Sequence, residues 1–430
     1  MKAAAGVKNK TGFEPLDANL VRTIVGRIQD ILPLPNVVNA ILKTVNDPYA
    51  SLEKVSDTIL RDQALTAKVL KLINSAYYGV TTSVGTVSQA VSLLGLETIK
   101  NLAMAISLAE GLYRYSGLPF GRGSLWHHSQ ACGVATSLVA EAAGYASPEE
   151  AIIVGLIHDI AKALWTELFP ERFLAVIKAV QLEGRDPLEV EVEYLTVPHA
   201  VVGSWMLEKW ELPEIFQKAV ALHHEIQPEK VDPPLLLLSR CLYVGNLMAK
   251  LLNLGEGGNY RLGPLPQDLL KDLNLSWEDL ASRVQALPQA FFDFVEELKL
   301  EGARNARLDT LVERLGNREV VLLTEDRDLG PGALFFEAFA LRTRSLSLEE
   351  WPEAQMENNA FLFWEGDNPG EAIARWQQTV SLHPRRTLIL FCHRPYLQSE
   401  KPLPGPGVHL LGPEWRLDDL LKAVPPEKVG

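Results

Sequence analysis

The chain has 430 residues, 47% hydrophobic and 22% charged, which is material for two or three packed domains and excludes a disordered or fibrous protein. Its formal charge is −13, and residues 317–430 hold 12 basic and 17 acidic side chains, so neither region attracts a phosphate backbone in general and no general nucleic-acid binding is expected. The longest strict apolar run, Ala151 to Leu156 with Ile157, stops at His158-Asp159, short of the roughly 18 residues of a membrane helix. Lys2, Lys8 and Lys10 precede no apolar signal core, and Cys132, Cys241 and Cys392 are too few and scattered for a disulfide framework; a soluble, cytoplasmic protein is expected.

Residues 1–16 mix Gly, Lys, Ala and Thr without period and predict a loose leader, with order beginning near Asp17. From there to about residue 315 the pattern is helical. Val21, Ile24, Val25, Ile28 and Leu32 recur at three and four, as do Val55, Ile59 and Leu60, then Leu65, Val69, Leu70, Leu72 and Ile73. Helix starts are predicted at Asp47-Pro48 with Ser51, at Ser88, and at Ser147-Pro148-Glu149-Glu150, where Ser caps and Pro suits the first position. Breaks fall at Pro33-Leu34-Pro35, Gly79, Gly95, Gly117 to Gly123 and Pro233-Pro234, with a helix at Leu235 to Leu252.

Past Gly316 the period changes. Val320 to Thr324, Ala360 to Trp364 and Thr387 to Phe391 have the look of buried parallel strands, separated by helical stretches Ala333 to Leu341 and Glu371 to Ser381, with a last pair at Val408 to Leu411 and Leu417 to Ala423. This alternation predicts a small doubly wound α/β domain of about five strands over residues 317–430. The helical region divides into a domain at 17–230 and an extension and linker at 231–315. Residues 255–265 and the helix Ala303 to Leu315 are expected to join the helical and α/β regions.

Six of the nine histidines lie between residues 127 and 224, together with a His158-Asp159 dipeptide. Neutral imidazoles plus one carboxylate suit a divalent Zn, Mn or Fe ion, because nitrogen donors favour a d-block cation and the carboxylate offsets its charge. A lone histidine on an apolar helix face is more commonly a core residue, and adjacent His223 and His224 are not expected to face one direction on a helix. The set as a whole is what points to a metal.

The residues resemble the HD superfamily of metal-dependent phosphohydrolases, with His128, His158 and Asp159 on its first three metal positions. They are more similar to the HDOD family. That likeness runs from about Ile31 to His224 through Leu32-Pro33-Leu34-Pro35, Asp62-Gln63-Ala64-Leu65, Asn74-Ser75-Ala76-Tyr77-Tyr78-Gly79, Ala90-Val91-Ser92-Leu93-Leu94-Gly95, Trp126-His127-His128-Ser129, Gly155 to Lys162, and Trp210-Glu211-Leu212-Pro213. The resemblance implies a regulatory module without an established common activity. It also places His199, His223 and His224 at positions used by binuclear HD-GYP relatives. Two departures stand out: Ile226-Gln227-Pro228 follows His223-His224-Glu225 where those relatives have their glycine-rich segment, and Asn246 stands near the expected last metal Asp. Cyclic di-GMP hydrolysis is therefore not expected. Lys162, one turn past Asp159, is the one cation placed by sequence to hold a substrate phosphate, and it is the sole catalytic candidate.

The C-terminal segment resembles the receiver domain of response regulators, in degenerate form. Glu325 and Asp326 stand at its acidic metal-binding pair and Glu365 at the phosphoacceptor Asp, while Cys392 or its neighbours replace the switch hydroxyl and Gly412-Pro413 stands where Lys-Pro would be. Phosphorelay chemistry is expected to be lost, because Glu places its carboxylate one methylene too far and no lysine steadies an acyl phosphate. The sequence thus predicts an all-α HDOD domain followed by a flavodoxin-like α/β domain. The expected function is that of a bacterial-type signalling protein that binds a partner protein or small ligand and is not catalytic; the alternative is an HD-type phosphohydrolase acting on a nucleotide or cyclic nucleotide.

Overall fold

Among the described residues helix follows helix from Ala18 to Leu315, because apolar residues there keep the three-and-four spacing, and the first extended strand described begins at Glu319. The structure, a computed structural model, describes residues 13–14, 16–45, 57–74, 83–111, 124–228, 230–298, 305–316, 318–324, 331–340, 342–347, 360–366, 372–374, 376, 387–392, 408–411 and 415–424. Most of the expected leader, the helix start at Asp47 to Ser51, Ser75 to Gly79, the break Gly117 to Gly123, and Gly412-Pro413 lie outside these residues.

Local chemistry sets the helix ends. Asp17 opens the first helix, Ala18–Val25, by accepting from Asn19 N at 2.9 Å, and Asp62 opens Gln63–Ile73 by accepting from Leu65 N at 3.0 Å. Two expected starts are corrected. Thr86, not Ser88, caps Val87–Leu94, because its hydroxyl reaches Gln89 N at 3.1 Å. Pro148 does occupy the first turn of Pro148–Ile157, but Ser147 makes no capping hydrogen bond; the acids Glu149 and Glu150 answer the helix dipole there.

Three helices meet backbone to backbone at the centre. A Cβ on Gly155 would lie 2.5 Å from Gly133 Cα, and one on Gly245 would lie 2.6 Å from Thr136 N. Glycine at these points lets Pro148–Ile157 and Pro233–Leu251 press onto Ser124–Ala142. That approach fixes His128 and the His158-Asp159 pair next to one another.

The described residues of the α/β region form one sheet of five parallel strands, β1 (Glu319–Thr324), β2 (Arg342–Ser347), β3 (Phe361–Gly366), β4 (Thr387–Cys392) and β5 (Val408–Leu411), in the order β2-β1-β3-β4-β5. Strand residues alternate between two cores. Val320, Leu322, Phe361, Phe363, Ile389 and Phe391 join the core that runs on into the helical region, whereas Val321, Leu323, Leu362, Trp364, Leu388 and Leu390 pack with Ala372 and Trp376 on the other face. Strand β2 carries no apolar run and is absent from the sequence prediction. It lies at the sheet edge, where Arg344 pairs with Glu319 at 2.8 Å, and an edge strand needs no continuous apolar face. Of the last predicted pair, 408–411 is a strand and Leu417–Ala423 a helix. Among the described residues no single helix is long and apolar enough to cross a membrane.

Candidate metal centre

The predicted ligands lie on or at the ends of five helices. His128 lies in Ser124–Ala142, His158 ends Pro148–Ile157, Asp159 precedes Ile160–Leu168, His199 begins His199–Lys209, and His223 and His224 follow Glu214–Leu222. His128, His158, Asp159, His199 and His223 are all buried. They form two donor groups, His128/His158/Asp159 and His199/His223/His224, and in each the ligating atoms lie within 4.8 Å of one another.

Asp159 stands between the groups. Its Oδ2 lies 3.2 Å from His158 Nε2 and 3.8 Å from His128 Nε2, while its Oδ1 lies 3.1 Å from His199 Nε2 and 3.9 Å from His223 Nε2. One carboxylate oxygen thus serves each group, the geometry of a bridging ligand. His199 Nε2 is 3.0 Å from His224 Nε2 and 3.3 Å from His223 Nε2. The expectation that His223 and His224 face apart is corrected: the helix ends at Leu222, the chain turns at both histidines, and the usual rotation between neighbours is lost.

The outer nitrogens set the tautomers. His158 Nδ1 donates to Gly155 O at 2.8 Å, His223 Nδ1 donates to Val220 O at 2.6 Å, and His199 Nδ1 donates to Glu191 at 2.7 and 2.8 Å. In the neutral rings this leaves each Nε2 as a lone pair aimed inward. The lone pairs of His199 and His223, 3.3 Å apart, repel unless a proton or a cation lies between them. Moreover, His128 Nε2, His158 Nε2 and Asp159 Oδ1 are buried without a hydrogen-bond partner. Orphaned donor atoms of these types, with a carboxylate orienting His199 from behind, fit divalent metal ions.

In the metal-free protein burial favours the neutral ring at three of the histidines, whereas His158 is paired with Asp159. Burial lowers the pKa of His128, His223 and His224 well below the ordinary imidazole value, with neighbouring histidines pushing the same way. Burial also opposes charge on His158, but Asp159 and then Cys132 outweigh it and raise that ring to about 10. For Asp159 burial is opposed by His158 and Lys162, which hold its carboxyl well below the usual range.

Lys162 is buried, with Nζ 2.7 Å from Asp159 Oδ2 and donating to Gly257 O at 2.8 Å. Its ammonium neutralises Asp159 and pins a loop. A cavity of about 520 Å³ opens beside the second group, with His223, His224, Asn246, Lys250, Arg261 and Asp186 in its wall. Asn246, at the point of the expected last Asp, faces this cavity and leaves Oδ1 without a partner. Sequence reasoning missed Glu191, Lys250, Gly257 and Arg261. Glu191 sits among Glu189 and Glu193 on Pro187–Leu195 and differs from them only in being fully buried, which no local pattern signals.

In the α/β region, Glu365 ends the buried portion of β3 and its Oε2 accepts from Gly332 N at 2.9 Å and Ala333 N at 3.3 Å, capping the helix Pro331–Phe339. Glu325 and Asp326, the Asp367 to Gly370 loop, and the side chain of Cys392 lie outside the described residues.

The HDOD domain model matches residues 31–226, and these residues are an HDOD domain. An uncharacterised protein of Treponema pallidum (strain Nichols) is 26% identical over 276 residues, 63% of this chain and 52% of the relative, so the chain spans about half the length of that relative. The crystal structure of an HDOD domain protein from Geobacter sulfurreducens is similar at a TM-score of 0.52 and 20% identity, covering 65% of this chain and 99% of that one, a likeness of fold alone.

Proposed function

We propose that the protein is a signalling protein whose HDOD domain holds divalent metal at the His/Asp centre and, beside it, a small phosphate-bearing ligand. The observation that carries this reading is the sharing of Asp159 by two complete donor groups, one of which faces a cavity with Lys250 and Arg261 in its wall. Bound metal supplies Lewis-acid attraction for phosphate oxygens. The chain does the rest: Glu191 orients His199, Lys162 balances the Asp159 charge, and Lys250 and Arg261 add positive charge where an anion sits. Elemental analysis of the purified full chain after exposure to Zn, Mn or Fe, followed by phosphorus-31 line broadening of inorganic phosphate on the Mn-loaded protein, tests this. Metal uptake with broadening that His199→Ala abolishes is expected; absence of uptake defeats the reading.

A second reading is hydrolysis of a phosphoester, favoured by the position of the His199/His223/His224 group on an open cavity. Turnover of p-nitrophenyl phosphate esters by metal-loaded wild type, and not by Asp159→Ala, distinguishes hydrolysis from binding.

For residues 317–430 the reading is a degenerate receiver used as an interaction module. The all-parallel order β2-β1-β3-β4-β5 is that of flavodoxin-like folds, and the only acceptor-like carboxylate described, Glu365, is engaged as a helix cap. The cytoplasm and a signalling partner protein belong to the same proposal.

A further inference from the structure

The segment from Leu251 to Pro264 crosses the metal centre on one side and the α/β domain on the other. On the first side, Gly257 O accepts from Lys162, and a Cβ on Gly257 would stand 2.8 Å from His128 Nε2, so only glycine lets the backbone come this close to the ring. Asn259, Arg261, Leu262, Gly263 and Pro264 then wall the cavity beside His223 and His224. On the second side, the Trp415 indole N–H donates to Leu251 O at 2.8 Å and Trp415 N donates to Tyr260 O at 3.0 Å. Asn253 Nδ2 donates to Trp415 O at 3.1 Å, and Asn253 Oδ1 accepts from Leu417 N at 3.1 Å.

Within the segment Arg261 N donates to Asn259 Oδ1 at 3.2 Å, and the helical region supports it through Gln181 Nε2 to Gly258 O at 3.0 Å, Lys250 Nζ to Asn259 Oδ1 at 3.0 Å, Arg261 Nη1 to Gly184 O at 2.9 Å and Tyr243 Oη to Pro264 O at 2.7 Å. Asn253, Gly255 and Gly258 take φ of 49°, 74° and 96°, and neither a helix nor a strand forms between Leu251 and Gln267. A segment without regular structure depends on its anchors. On the α/β side the anchor is Trp415, which is fully buried, with Phe335, Phe363 and Phe391 around its ring at centroid distances of 5.0 to 6.1 Å. A Cβ on Gly332, whose N–H is bound by Glu365, would lie 2.8 Å from the same ring.

We propose that Trp415 and Asn253 are positioning residues for the metal centre, through which docking of the α/β domain sets how firmly the segment 251–264 closes over His128 and the adjoining cavity. Undocking at Trp415 loosens this wall and releases what the centre holds. The coupling to metal rests on the reading of the cluster as a metal centre; the positioning of the segment does not.

Two full-length variants test it. Trp415→Phe keeps an aromatic ring among the phenylalanines and removes the N–H donor to Leu251. Asn253→Gly keeps the left-handed backbone and removes both side-chain bonds to the α/β domain. Amide hydrogen exchange by mass spectrometry and release of Mn²⁺ into excess chelator are followed in each. Exchange across residues 254–262 and the Mn²⁺ release rate are expected to rise about five- to tenfold, the scale of one or two lost buried hydrogen bonds, with exchange in Ser124–Ala142 unchanged. Unchanged exchange across 254–262 in both variants overturns the proposal, as does faster exchange with unchanged Mn²⁺ release. If the wild type takes up no Mn²⁺, the metal reading fails by itself, and the exchange result alone decides whether the clamp exists.

Discussion

Glu191 grips His199 from behind: its two carboxylate oxygens lie 2.8 and 2.7 Å from the ring Nδ1, and Oε2 also accepts from the His199 backbone N at 2.8 Å. The grip fixes which nitrogen faces Asp159 and makes it a stronger donor. Replacement by Gln keeps the size and loses the charge. Metal affinity in Glu191→Gln is therefore expected to fall about 10- to 100-fold, by competitive chelator titration, with the helical circular dichroism unchanged. Equal affinity in variant and wild type would show that His199 holds no metal.

Asp159 is the single anion shared by both donor groups, so its loss acts on each. Asp159→Ala is expected to lose more metal than Glu191→Gln and to copurify with almost none, since neutral imidazoles retain a divalent ion poorly. Some stability is expected to be lost as well, because the buried Lys162 ammonium is left without its carboxylate, so circular dichroism of both proteins accompanies the comparison. Elemental analysis of both proteins is the check, and equal metal content in wild type and Asp159→Ala would make the histidines structural.

Metal binding is expected to release a proton. In the metal-free protein burial opposes charge on His158, yet Asp159 and Cys132 hold its proton up to about 10, while a ligating ring must be neutral. At neutral pH, below that raised value, the metal-free form carries a proton that the bound form lacks. Affinity is accordingly expected to climb with pH, by about tenfold per unit for one released proton, until the raised value is passed. Calorimetry in buffers of different ionisation enthalpy measures the protons released; a heat that does not depend on buffer contradicts the assignment.

Glu365, the described carboxylate at the acceptor position, serves as a helix cap, and that use engages its Oε2. Incubation with acetyl phosphate is expected to leave Glu365 unlabelled, as read by intact mass. Glu365→Ala should lower stability by about 1 kcal/mol, the usual worth of a lost cap. Stoichiometric phosphate incorporation within residues 317–430 would contradict both this use and the receiver alignment.

Gly155 tests the packing beneath the site. Its absent Cβ would fall 2.5 Å from Gly133 Cα, so Gly155→Ala must push the two helices away from each other. A loss of about 1–3 kcal/mol is expected in denaturant unfolding, together with weaker metal retention, because His158 and His128 ride on the helices that separate. A variant of wild-type stability would mean that the helices yield without strain.

Much of the architecture was already present in local pattern. The helical period up to Leu315, the change of period near Gly316, and the apolar runs that became β1, β3 and β4 depend on neighbours a few residues apart, and burial followed them. The ligand types were equally legible, since His128, His158-Asp159, His199 and His223-His224 carry their chemistry in their identity. Packing decided what no local pattern holds. It selected Glu191 from three acids on one helix, turned both His223 and His224 inward at a helix end, committed Lys162 to Asp159 and Gly257, and added the polar edge strand β2. It also brought Trp415 against Leu251 and Tyr260, more than 150 residues away in the chain. Such contacts join segments whose separate sequences are indifferent to one another, and only the burial of a shared core selects the one arrangement in which they meet.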